Sequence, residues 1–143
     1  MKKLLVIILS IVTVFLMFGC SVGGEASQGQ MTIIVDGGQE YKVDLSKVEV
    51  TEGVLSVLKY CAKENNLNIA VNGTMLTEFA SLKQANDYYL WIETTCKKDF
   101  DLTTYATSRD YNDMHFVSSG LGVKDMTVED GVYIYISLKY WGN

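Results

Sequence analysis

The 143-residue chain has no proline, one histidine and three cysteines. Without proline, its turns fall to Gly, Asn and Asp, the residues that tolerate turn geometry. A conventional four-ligand Cys/His zinc site would consume every Cys and His present, which argues against one. Positive charge is also scarce: 12 Lys+Arg stand against 17 Asp+Glu, a net charge of -5. All the acidic residues follow residue 20, while Lys2 and Lys3 precede it. The part after residue 20 is therefore more acidic still and lacks the basic footprint of a general nucleic-acid binder. Charged residues make up only 20% and hydrophobic ones 48%, which argues against a disordered tail. The length supports one domain.

Met1-Lys2-Lys3 is a short basic start, and Leu4 to Phe18 follows without a charge. That run falls short of the ~20 residues a bilayer core requires, but suits the apolar region of a secretory signal peptide. It ends in Gly19-Cys20, and Ser21-Val22-Gly23-Gly24 follows. A small residue before Cys at this point resembles the lipobox of bacterial lipoproteins, in which the Cys is diacylated and becomes the new N-terminus. Met17 and Phe18 are bulkier than that pattern has, and an ordinary signal peptide or an uncleaved anchor is the alternative. The reading is a lipoprotein signal peptide over 1–19, then lipidated Cys20 and a flexible Gly/Ser tether to residue 30, with the folded domain at 31–143. It places the protein outside the cytoplasm, held on the bacterial membrane by lipid.

Met31 to Val35 is β-branched and reads as a strand, Asp36-Gly37-Gly38-Gln39 as a turn, and Tyr41 to Leu45 as a half-buried partner strand. Thr51 is a candidate helix cap. Val54, Leu55, Leu58, Cys61 and Ala62 then form one apolar stripe ending near Asn65-Asn66. Leu67 to Val71 suggests a short strand and Asn72-Gly73 a hairpin turn. Asp87 to Thr95 reads as an interior strand, residues 96–114 as polar and irregular, and Val132 to Tyr140 as the last strand. Strands around one amphipathic helix imply an α+β fold, a mixed sheet covered on one face in a β-grasp-like arrangement.

From Met31 to Tyr140 the layout resembles the transcobalamin-like C-terminal domain, a β-grasp-like family of bacterial surface proteins. The opening strand pair carries the resemblance, together with Val50-Thr51-Glu52-Gly53-Val54-Leu55 leading into the helix. The aromatic strand Asp87-Tyr88-Tyr89-Leu90-Trp91-Ile92 and the closing Gly120-Leu121-Gly122-Val123 with Glu129-Asp130-Gly131 complete it. The aromatic strand departs from the family pattern by continuing to Glu93-Thr94-Thr95-Cys96, and residues 97–114 match no family motif. The resemblance implies a corrinoid, cobalamin-like or other flat organic ligand, held without catalysis.

The chemistry-bearing residues are few. His115 has no nucleophile at a recognisable spacing, and Ser118 and Ser119 are too ordinary to supply one. Asp99, Asp101, Asp110 and Asp113 do not follow the twelve-residue calcium loop, so a solvated acidic loop is expected, with no metal and no resident cofactor. Tyr and Trp together number 11. Tyr89, Trp91, Tyr133 and Tyr135 alternate onto the sheet face opposite the helix, where they form an aromatic platform for ligand unless residues 97–127 cover it. With Cys20 acylated, Cys61 and Cys96 remain as an even pair for a disulfide in an oxidising compartment. Cys61 equally suits a buried thiol in the helix stripe. The expectation is a membrane-anchored, non-enzymatic binding module of the cell envelope. The alternative is a protein-interaction module that pairs a partner along a sheet edge.

Overall fold

A computed structural model describes residues 28–141. The signal segment, Cys20 and most of the tether lie outside the described residues. Nine strands and one α-helix run in the order β1 (Gln30–Val35), β2 (Gln39–Asp44), α1 (Gly53–Asn65), β3 (Ile69–Asn72), β4 (Met75–Phe79), β5 (Leu82–Lys83), β6 (Tyr88–Thr94), β7 (Ser108–Tyr111), β8 (Met114–Ser118) and β9 (Tyr133–Tyr140). Six strands form one sheet in the order β2-β1-β9-β6-β8-β7, and β3-β4-β5 form a second. The large sheet is mixed, since β1 and β9 are parallel while its other neighbours are antiparallel. With a single helix among the described residues, the fold is α+β.

The local signals explain most of these elements. Gly37 and Gly38 take φ of 103° and 88° in the turn that closes the β1–β2 hairpin. The helix stripe is core: Val54, Leu55, Leu58, Cys61 and Ala62 are all buried against the large sheet. Facing them are Ile33 and Val35 of β1, Val43 of β2, Leu90 of β6 and Ile134 and Ile136 of β9, with Leu76 and Phe79 of β4 closing the side.

The helix start differs from the sequence expectation. Glu52, not Thr51, is the capping residue, and its side chain makes no capping bond. Instead Ser56 Oγ accepts the N–H groups of Thr51 and Glu52 at 3.1 and 2.9 Å, and the Val123 carbonyl accepts Leu55 N–H at 2.9 Å. Those acceptors satisfy donors that a helix N-terminus otherwise leaves orphaned. Gly53 opens the helix at φ 50°, where a Cβ would fall 2.5 Å from the Lys124 carbonyl oxygen.

Two further expectations are corrected. The polar region after Cys96 contains strand β7, which forms a hairpin with β8 at the sheet margin. Strand β6 is interior only in part. It pairs with β9 along its whole length, but with β8 only at Glu93 and Thr94.

Candidate functional site

Cross-strand register places the four aromatic candidates together on one face. Tyr89, Trp91 and Glu93 of β6 oppose Lys139, Ser137 and Tyr135 of β9, and Tyr133 lies two residues before Tyr135. The face is nevertheless not one open platform. The β7–β8 hairpin brings Phe116, Tyr111 and Arg109 onto it.

Tyr135 is therefore buried, only 4% exposed, with Tyr111 and Phe116 edge-on at 5.4 and 5.8 Å between ring centroids. The Arg109 guanidinium lies 4.3 Å from the centre of its ring, and its hydroxyl donates to Asp36 at 2.9 Å. The same arginine approaches the buried Glu93 carboxylate at 2.5 Å. Burial pushes the Glu93 carboxyl above its ordinary range, against the opposing pull of Arg109. Ile34, Phe116 and Tyr135 thus form a small second core, with Tyr133 packed against it. Tyr133 and Tyr135 do not make the exposed binding surface that alternation alone suggests. Residues that sequence pattern assigned to a loop cover that end of the face.

The other end remains open. Tyr89 and Trp91 line a groove of about 330 Å³ together with Leu90, Ile92, Trp141, the Thr74–Leu76 turn-and-strand segment and Ser119 with Leu121 to Val123. None of these residues is charged. Trp141 follows the last alternating residue, so the strand pattern does not reach it. Its N–H donates to the Asp87 carbonyl at 2.7 Å, which folds it back beside Tyr89 at a centroid distance of 4.6 Å. Both tryptophans of the chain therefore stand at this groove.

Trp91 is held firmly. Its indole N–H donates to Thr107 Oγ1 at 2.9 Å, Lys139 Nζ sits 4.2 Å from the ring centre, and Tyr89 meets it edge-on at 5.7 Å. Trp141, by contrast, is 65% exposed, and Met75 and Leu121 are also exposed. The Thr74–Leu76 and Leu121–Val123 segments are tied to one another. Val123 N–H donates to the Thr74 carbonyl at 3.0 Å, and a Cβ at Gly122 would lie 2.4 Å from Thr74 Cβ. Gly122 is needed there for close approach.

Most of the other polar groups that the sequence singles out have structural partners. His115 Nδ1 is 2.7 Å from Asp110 on the exposed surface. Ser118 Oγ accepts Thr107 N–H, and Ser119 Oγ bonds the backbone of Leu121. Asp99 is buried and accepts from Thr127 N–H and Oγ1 at 2.8 and 2.7 Å, which separates it from the expected acidic loop. Among the described residues, no group of three or more His, Cys, Asp or Glu is placed to hold a metal ion.

Cys61 and Cys96 are both free and buried, so the bridge that an even pair allowed is not formed. Cys61 packs in the helix stripe, and Cys96 donates to Glu129 at 3.6 Å. Burial pushes Cys61 up to about 11 and raises Cys96 as well, so neither is an activated nucleophile at neutral pH. No protein-family model matches the chain, and no curated protein matches it.

Proposed function

We propose that the chain is a surface lipoprotein, anchored through acylated Cys20 and acting outside the cytoplasm as a non-enzymatic binding module, with the aromatic groove as its site. The fold behind this reading is β-grasp-like: a first hairpin, a crossing helix, and a last strand inserted parallel beside the first. The strand order and the parallel β1–β9 pair support it. The observation that carries the binding role is the convergence of Tyr89, Trp91 and Trp141 on one uncharged groove. Apolar, aromatic-lined concavities with few polar groups are the usual form of ligand sites.

The flat organic ligand implied by the transcobalamin-like resemblance, a corrinoid among them, would stack on the open surface of Trp141 and Tyr89. A groove of about 330 Å³ takes the edge of such a ring, not the whole of it. The test is titration of the detergent-solubilised full chain with cyanocobalamin and with anilinonaphthalene sulfonate, by calorimetry and tryptophan fluorescence. Binding of either probe should weaken by about 2 kcal/mol in Trp141→Ala at an unchanged melting temperature. Undiminished binding in the folded variant would remove the groove from consideration.

A second reading, an interaction module of the cell envelope, is favoured by a different observation. The outer edge of β6 is paired over only part of its length. Exposed strand edges are templates for adding a strand from another chain.

A further inference from the structure

The backbone of β6 alternates in direction, and its bonds fix which groups point where. Thr95 N–H donates to the Tyr133 carbonyl, so the odd-numbered residues turn their polar groups toward β9. The even-numbered residues turn theirs to the other side: Tyr88 exchanges bonds with Ala85, Ile92 accepts from Ser119 N–H, and Thr94 pairs with Val117 of β8. Leu90 lies between them with the same orientation. Its N–H and carbonyl, and the N–H of Ile92, have no partner among the described residues. They face the groove between β6 and the segment running from Ser119 to Val123.

These groups sit in an apolar setting. The Leu90 side chain is buried, and no charged residue lines the groove. Backbone donors and acceptors removed from water are costly without a partner. A purely aromatic ligand would satisfy the ring surfaces and leave these groups unmet. An extended peptide supplies an N–H and a carbonyl at the spacing of Leu90, and alternate side chains toward the two walls. One wall is Tyr89, Trp91 and Trp141; the other holds Met75 and Val123. The free edge lies between Tyr88, bonded to Ala85, and the Ile92 carbonyl, bonded to Ser119; those residues are roughly 13 Å apart at ~3.3 Å per residue, enough for a strand of about three residues.

The place where the chain enters β1 bears on whose peptide it is. Gln30 starts β1 beside Asp130 and Gly131, at the Tyr133 end of β9, while Trp141 marks the opposite end. The described chain therefore enters the sheet at the pole remote from the groove. Between Ser21 and Ser27 the tether offers only Val22 as a sizeable apolar side chain. That segment does not suit the two apolar walls. With the lipid at Cys20, the groove would open away from the bilayer, toward another protein.

We propose that the groove is a strand-addition site, taking a short, extended, uncharged apolar segment of a partner protein paired with Leu90 and Ile92 on the free edge of β6. This rests on the reading of the groove as the binding site. The probe is a capped pentapeptide of alternating Val and Thr, compared with the same peptide N-methylated at its two central amides, each added to the detergent-solubilised full chain at millimolar concentration. The parent peptide should change tryptophan fluorescence and slow hydrogen exchange at the Leu90 and Ile92 amides at least tenfold. The methylated peptide should bind at least tenfold more weakly. Leu121→Asp, at an exposed wall position, should abolish the parent's effect at unchanged melting. Equal binding of both peptides would overturn strand addition while leaving the groove as the site. So would silence with both peptides alongside a response to anilinonaphthalene sulfonate. Silence with every probe would overturn both readings.

Discussion

A single carboxylate shows how burial and charge compete in this fold. Glu93 is almost fully enclosed beside Arg109, and burial holds its carboxyl above the ordinary range. The native state therefore binds a proton more readily than the unfolded chain. This contribution to stability is present below the unfolded value near 4.3 and is lost as pH rises through the raised native value. Glu93→Gln removes that dependence. Urea midpoints of both proteins at pH 4.5 and 7 should show the variant gaining on the parent as pH rises. The lowered carboxyls of Glu52 and Glu129 act in the opposite sense but cancel in this comparison, because both proteins carry them. If the parent gained instead, attraction to Arg109 would outweigh burial. The two thiols make an equally local prediction. Mature protein unfolded without reductant should titrate with two free thiols, from Cys61 and Cys96; finding none would show a bridge.

Among the elements, α1 is the one whose role follows most directly from its pattern. Its stripe at spacings of three and four became a buried face, and Leu58 at its centre is fully enclosed. Leu58→Ala should cost about 2–5 kcal/mol, read as a lowered urea midpoint with an unchanged slope. An unchanged midpoint would place the wrong face toward the sheet. The β6 strand is less direct. Its alternation sorted Leu90 from Tyr89 and Trp91 correctly, since faces follow from period two. Alternation says nothing about which backbone edge is paired, because every residue of a strand offers the same donor and acceptor whatever its side chain. The extent of β8 pairing is set by where the chain leaves the sheet after Ser118, a matter of tertiary path.

For the molecule as a whole, the sheet is a divided surface. One face is buried under the helix and the small sheet. The other is closed by the β7–β8 hairpin at the Tyr135 end and left open at the Trp141 end. Gln30, where β1 begins, lies at the Tyr133 end of the sheet, opposite the groove at Trp141. The anchor is tested separately from the domain. Cys20→Ala should release the protein from membranes or leave it as an unprocessed precursor. An intact mass of the mature parent without a diacylglyceryl group would sink the lipidation reading.

Local periodicity and turn chemistry were sufficient for the first hairpin, the helix and its buried face, the Asn72-Gly73 turn and the last strand, because each is encoded by neighbouring residues. Gly37, Gly38 and Gly73 mark positive-φ turns whatever the rest of the chain does. Tertiary structure alone decided the parallel pairing of β1 with β9, the cover over Tyr135, and the groove at Trp141. Each joins segments far apart in the chain. The residues of β7 are a polar stretch with no strand-like apolar alternation, yet they supply Arg109 and Tyr111 to the second core. Sequence put Tyr89, Trp91, Tyr133 and Tyr135 on one face. Which of them meet solvent depended on the path of a distant hairpin, because exposure is a property of the neighbours a fold assembles.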